Sequence, residues 1–335
     1  MRGAVIAALF CLAGTGAAQA QACGPLRLLS SQQMAHFGAT DVMVVPVTVN
    51  GVDKGMILDT GAPQSQLTRT VAEELKLRLR RARAAVGSYR GAPASETRDV
   101  SGHVSQSAAT VQSLSFGKVQ RRDVELRIWP DPDFARGTPM LAGMLSRDLL
   151  FDYDVDVDFG TGILKLFSKD HCPGAINYWH PPAIAAMRFT IKDGHIHIPV
   201  MLDGRAFDAV IDTGSQYSII SLPVAGMAFG LRADSPGVTP LGAVNSDPSL
   251  NAFMHTFASL SFGGVTVLTP DMMLLPDRMA RAGGRGQQTE NRALLNSGLP
   301  EITIGMDVLR HLHIYLAPDE RTFYVSETAP PAAAP

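Results

Sequence analysis

The chain has 335 residues, enough for one large or two smaller packed cores, and its 46% hydrophobic content argues against a disordered body. Its 29 basic and 31 acidic residues leave a formal charge of −2, so the sequence carries no electrostatic footprint for nucleic acid or for an anionic membrane. Nucleic-acid partners are therefore disfavoured.

In chain order, residues 1–22 read as a signal peptide. Arg2 is followed by the apolar run "AVIAALFCLAG" and the small-residue stretch "AAQAQA", which sets cleavage after Ala20 or Ala22. The apolar run is shorter than the roughly 20 residues a membrane span needs, and no later stretch is long enough either. The mature protein is expected to be exported to a periplasm. Loss of the signal leaves Cys23 and Cys172, an even pair that suggests one disulfide in an oxidising compartment. Two separate buried thiols are the alternative.

A short N-terminal segment, 23–40, leads into "VPVTVNGVDKGMILDTGAPQSQL" at 45–67. An apolar run ending in Asp-Thr-Gly is by itself an ordinary turn signal, because Asp and Thr bond their own backbone and Gly accepts positive φ. Next, Thr70 and Glu73 form a capping box that opens a helix through "VAEELKLRL". The polar, Gly-containing stretch 87–106 is expected to be a lid over a bound peptide, with Tyr89 as a contact. Alternation then predicts strands at "VMVVPVTV", 111–116, "VELRIW", "YDVDVDF" and "ILKLF". Asp152, Asp154, Asp156 and Asp158 alternate along one of them, which reads as a solvated strand face. Residues 170–190, rich in Pro and Gly, suit a linker.

Beyond the linker the sequence repeats itself. The segment "IPVMLDGRAFDAVIDTGSQYSII" at 198–220 aligns without a gap on 45–67, with Pro199 on Pro46, Gly204 on Gly51, Ser218 on Ser65 and a second Asp-Thr-Gly. "SLSFG" occurs at 113–117 and again at 259–263, and "SRDLL" at 146–150 corresponds to "GMDVL" at 305–309. The three blocks keep their order with offsets of 153, 146 and 159, as an internal duplication requires. This gives two β-rich lobes, 41–169 and 191–327, with an insertion at 281–298 as a rival lid and a disordered tail at 328–335.

Two β-rich halves, each with two apolar residues followed by Asp-Thr-Gly, resemble the aspartic proteases of the retropepsin and pepsin type. The likeness is nearest in style to bacterial retropepsin-like proteins joined as a tandem single chain. The resemblance implies an all-β, bilobal acid-protease fold with few short helices, and facing carboxylates from Asp59 and Asp212 as the catalytic pair. It also implies that Thr60 and Thr213 bond across the lobes. A second family element, two apolar residues then Gly, is supplied by Thr303, Ile304 and Gly305. The first half has Ser146 there, so its turn is either distorted or shifted towards Gly143.

Two carboxylates a few ångströms apart cannot both ionise, so the pair supplies an acid and a base together. Gly61 and Gly214 would let the backbone approach them, and Ala62 and Ser215 complete the turns. The Ser215 hydroxyl is expected to bond the outer oxygen of Asp212. The pairs His195 with His197 and His311 with His313 could hold a metal, but neighbouring Ile196, Ile198, Leu312 and Ile314 should face the core and leave the histidines in solvent. No cofactor or metal is expected. The sequence thus predicts a monomeric aspartic endopeptidase acting on peptide or exported-protein segments. Two alternatives are an inactive peptide-binding module of the same fold and a periplasmic metal-binding protein.

Overall fold

The computed structural model describes residues 23–82, 97–98, 104–129, 138, 140–176, 178, 183–192, 194–244, 247–276 and 301–328. The signal, Tyr89, most of the 87–106 lid, the 281–298 insertion and the tail beyond Thr328 lie outside the described residues. The fold is all-β and bilobal, and each half builds its own sheet around the same local plan.

In the first half, Met43–Val49 buries alternate residues and turns at Asn50 and Gly51 into Val52–Asp59. Asn50 (φ 50°) and Gly51 (φ 83°) both take the left-handed conformation that a tight hairpin needs. In the second half Asp203 and Gly204 do the same between His195–Leu202 and Arg205–Ile211. From Lys54 onward the Val52–Asp59 strand is buried at every residue, as expected for a strand covered on both faces.

The duplication reappears as matching pairings. Leu141–Ser146 runs parallel to Val52–Asp59, placing Ser146 opposite Asp59. Ile302–Ile304 runs parallel to Arg205–Ile211, placing Ile304 opposite Ile211 and Gly305 beside Asp212. Likewise Gln66–Thr68 pairs in parallel with Val119–Trp129, and Ile219–Ser221 with Asp271–Leu275. The first-lobe counterpart of Gly305 is therefore Ser146 and not Gly143. Gly143 has a separate reason to be glycine: an added Cβ would lie 1.9 Å from the Gln66 carbonyl oxygen.

The capping box is displaced. The helix spans Arg69–Glu74, its N-cap is Thr68, and the Thr68 hydroxyl accepts from Val71 N–H at 3.3 Å. It stops early because Lys76 turns left-handed (φ 53°), after which the chain extends and Arg80–Arg81 pairs with Ser107–Phe116.

A six-stranded sheet joins the halves in the order Leu28–Gln33, Ile163–Phe167, Asp154–Asp158, Leu312–Ala317, Thr322–Glu327, Ala185–Arg188. Three strands lie on each side of the seam between Asp154–Asp158 and Leu312–Ala317, so the N-terminal segment and the stretch before the second lobe both serve the shared sheet. The Cys23–Cys172 disulfide pins the start of that first edge strand, assisted by Gly24 N–H donating to the Asp170 carbonyl at 3.0 Å. Among the described residues, no helix is long and apolar enough to cross a membrane.

This sheet overturns two expectations. Asp154 and Asp156 do not form a solvated face; they are 2% and 0% exposed. Asp154 accepts from Tyr315 Oη at 2.8 Å and meets His171 Nε2 at 2.6 Å, while Asp156 meets His313 Nε2 at 2.7 Å and accepts from Tyr178 Oη. His313, in this sheet, and His195, in the second lobe's own sheet, are likewise buried, although Ile196, Ile198, Leu312 and Ile314 do face the core. The alternation was real, but the second face of Asp154–Asp158 is covered by the connecting segment that carries His171 and Tyr178 and by His313 and Tyr315 of the other half, which a period of two cannot reveal.

The polar belt gives stability a pH dependence. Burial opposes the charged form of His171, yet the Cys172 carbonyl and the Asp154 carboxylate outweigh it and raise the imidazole above its ordinary 6.5. A raised pKa of this kind stabilises fully below 6.5 and is lost as pH rises through the folded value. The melting-temperature deficit of His171→Ala should therefore be larger at about pH 5.5 than at about pH 9, read by thermal denaturation at both.

Candidate active site

Each Asp-Thr-Gly turn follows a fully buried strand end, so the two turns are presented at the lobe interface by rigid β structure. They interlock there. Thr60 N–H donates to Thr213 Oγ1 at 3.1 Å, and Thr213 N–H donates to Thr60 Oγ1 at 3.2 Å. Each hydroxyl then donates onward across the lobes, Thr60 to the Ile211 carbonyl at 2.8 Å and Thr213 to the Leu58 carbonyl at 2.7 Å. Both threonines are buried, and the N–H and hydroxyl of each has its partner across the lobes.

The grip brings Asp59 and Asp212 together closely enough for their carboxyls to hydrogen-bond. The glycines enforce the approach. A Cβ on Gly61 would stand 2.2 Å from Asp212 Cγ, and one on Gly214 2.7 Å from Asp59 Cγ. Backbone donors orient the carboxylates: Ala62 N–H reaches Asp59 Oδ1 at 2.9 Å, and Gly214 N–H reaches Asp212 Oδ1 at 2.9 Å.

Burial raises both carboxyls, and the charge of Asp212 adds to the effect on Asp59; Asp59 is pushed up to about 8 and Asp212 to about 6. The backbone N–H groups of Gly61 and Ala62, and of Gly214 and Ser215, pull the other way. Such a pair titrates as a unit, and across the neutral range it holds one proton. The arrangement is an acid and a base sharing one site.

The Ser215 hydroxyl does not take part as expected. It donates to the Tyr217 carbonyl at 2.8 Å, because the turn curls back on itself, and Ser215 serves Asp212 only through its main chain. Tyr89, lying outside the described residues, has no position to compare.

A second layer braces each turn, and motif reading missed it. Ser65 Oγ donates to Asp148 Oδ1 at 2.6 Å and accepts from Ser146 N–H at 2.9 Å. Ser218 Oγ donates to Asp307 Oδ1 at 2.6 Å and accepts from Gly305 N–H at 3.1 Å. The serines also donate their own N–H to the same aspartates at 2.8 and 2.9 Å. Burial raises Asp148 and Asp307 above the ordinary carboxylate range despite these donors. The signal was available, since Ser65 and Ser218, like Asp148 and Asp307, occupy matched positions in the repeat.

The two turns are not equally held. In the second, Met306 N–H donates to the Ser215 carbonyl at 2.8 Å and Asp307 N–H to the Gln216 carbonyl at 3.1 Å. Among the described residues, no matching main-chain bonds join 147–148 to 62–63. The difference follows from Gly305 against Ser146: a Cβ on Gly305 would lie 2.3 Å from the Tyr217 carbonyl oxygen, so the serine in the first lobe keeps its turn farther off.

Because the Thr213 hydroxyl both accepts and donates in a buried site, Thr213→Val keeps its shape but strands the Thr60 N–H and the Leu58 carbonyl. It should cost about 2 to 4 kcal/mol, measured by equilibrium urea unfolding.

Among solved structures, the chain is similar to one described as the crystal structure of edgp, at 10% identity and a TM-score of 0.47, covering 89% of this chain and 94% of that one. It is similar also to basic 7S globulin from soybean, at 10% identity and a TM-score of 0.47, covering 90% and 97%. No curated protein matches the sequence. Residues 45–149, which hold Asp59, its turn and the returning strand Leu141–Ser146, match the family model described as aspartyl protease, and the chain is similar to that family across this part of its first lobe.

Proposed function

We propose that the protein is an exported aspartic endopeptidase that hydrolyses extended polypeptide segments, with Asp59 and Asp212 as its catalytic pair. One observation carries this reading: two buried carboxyls from repeated turns, locked in contact by the reciprocal Thr60 and Thr213 bonds. The aspartyl protease match over 45–149 supports the same class of chemistry. The disulfide is in keeping with export to an oxidising compartment.

In this mechanism the singly protonated pair binds a water between its two carboxyls. The ionised carboxylate takes a proton from that water as its oxygen attacks the peptide carbonyl. The protonated carboxyl stabilises the developing oxyanion, and a proton then passes to the leaving amine as the C–N bond breaks. No side chain becomes covalently bound. Gly61, Ala62, Gly214 and Ser215 act through their main chains, holding the carboxylates in orientation, and Thr60 and Thr213 keep the lobes at the distance that forces proton sharing. An extended substrate suits a groove between β lobes, where its backbone can pair with strand edges. Both aspartates come from one chain, so the catalytic pair is complete within a single copy, in keeping with a monomer.

The test is cleavage of a peptide library by the mature protein, with a statine-type transition-state mimic as inhibitor. Asp59→Asn and Asp212→Asn should each lower kcat/KM by about three orders of magnitude or more while leaving the fold intact by circular dichroism. Undiminished cleavage by either variant would sink the assignment. Because both carboxyls are raised, activity should persist well above the ordinary carboxylate range and fall as the shared proton is lost. The alkaline limb of the pH-rate profile should therefore follow the upper step of the pair and lie above neutrality, in keeping with the carboxyl that is pushed up to about 8.

A further inference from the structure

The grip is not the only place where the lobes are tied. Asp41 stands just before Met43–Val49 in the first lobe, Gln216 follows Asp212 in the second turn, and Arg310 ends the helix Met306–Leu309. Asp41 N–H donates to Gln216 Oε1 at 2.9 Å, and Gln216 Nε2 donates back to Asp41 Oδ2 at 2.9 Å. Arg310 Nη1 donates to the same carboxylate oxygen at 2.9 Å. The main chain of Gln216 is bound within the second lobe through its carbonyl, while its side chain is bound to the first. On the other flank, the repeat places Gly194 where the first lobe has Asp41. Gly194 has no side chain to offer, and Arg147 Nε reaches its carbonyl at 2.8 Å.

We propose that Asp41, acting through Gln216 and Arg310, is a positioning residue that holds the turn carrying Asp212 against the first lobe and so sets the separation of Asp59 and Asp212. The reciprocal threonine bonds fix each turn one residue beyond its aspartate. The Asp41 tie fixes the second turn again at Gln216, four residues beyond Asp212. Because Gln216 belongs to the turn that carries Asp212, a shift there is passed directly to that carboxyl. The interaction between like charges falls with distance, which makes the upper titration step of the pair a ruler for their separation. The largest influences on either carboxyl are burial, the other carboxyl and the N–H groups of Gly61, Ala62, Gly214 and Ser215. Asp41 faces Arg310 and Gln216.

The kinetic arm of the test rests on the endopeptidase reading, whereas the titration arm does not. Aspartate-labelled full-length mature protein is titrated by carboxyl carbon NMR as wild type, Asp41→Ala and Asp41→Asn. Asp41→Ala should lower the upper step by roughly half a unit, because the carboxyls move apart. Asp41→Asn removes the same charge but keeps an oxygen for Gln216 Nε2 and Arg310, so its upper step should stay near wild type. An unmoved step in Asp41→Ala overturns the proposal. An equal shift in both variants also overturns it, since charge and not position would then be the cause. On a cleaved peptide, Asp41→Ala should lower kcat about fivefold with KM changed less than about twofold. If wild type cleaves nothing while the titration shift appears as described, the endopeptidase reading fails and the positioning role stands.

Discussion

The structure depends on one constraint: two carboxyl groups, each on the end of a buried strand, are held too close for both to be charged. Nothing about an isolated Asp-Thr-Gly turn would produce this. It takes the crossed threonine bonds, in which each lobe satisfies the backbone N–H of the other's turn and each hydroxyl goes on to a carbonyl across the interface. A buried network of this kind rigidifies because no member can leave without stranding another. The two glycines complete it by leaving each opposing carboxyl the space that a Cβ would fill.

Around that centre the molecule repeats a single plan and then departs from it. Ser65 with Asp148 and Ser218 with Asp307 brace the two turns in the same way. Ser146 against Gly305, and Asp41 against Gly194, break the match. Consequently the second turn is bound to its returning strand and to the opposite lobe, and the first is held more lightly. Asymmetry matters for acid–base chemistry, because a pair with identical surroundings has no preferred holder for its proton. Here burial raises both carboxyls, while their turns are held by different contacts.

The shared sheet is the other unexpected layer. Buried carboxylates on its central strand are matched by His171, His313, Tyr178 and Tyr315 from the connector and the second half. Burying such groups costs free energy that their partners must offset. Their partners sit in one register only, so the belt also fixes how the halves meet. The disulfide at Cys172, adjacent to His171, anchors the connector on which that matching depends.

By itself the sequence determined the duplication, the β character and which two aspartates are paired, because these are written as local patterns repeated at a near-constant offset. Local patterns could not say what covers a strand's second face, so Asp154, Asp156, His195 and His313 read as solvated when they are buried. Nor could they fix a hydroxyl's direction, and the Ser215 oxygen turned back to Tyr217 instead of reaching Asp212. The cap moved from Thr70 to Thr68 because the helix begins directly where the strand Gln66–Thr68 ends its pairing with Val119–Trp129. Tertiary structure decided these points, together with the Asp41, Gln216 and Arg310 tie, because each depends on groups brought together from more than one segment of the chain.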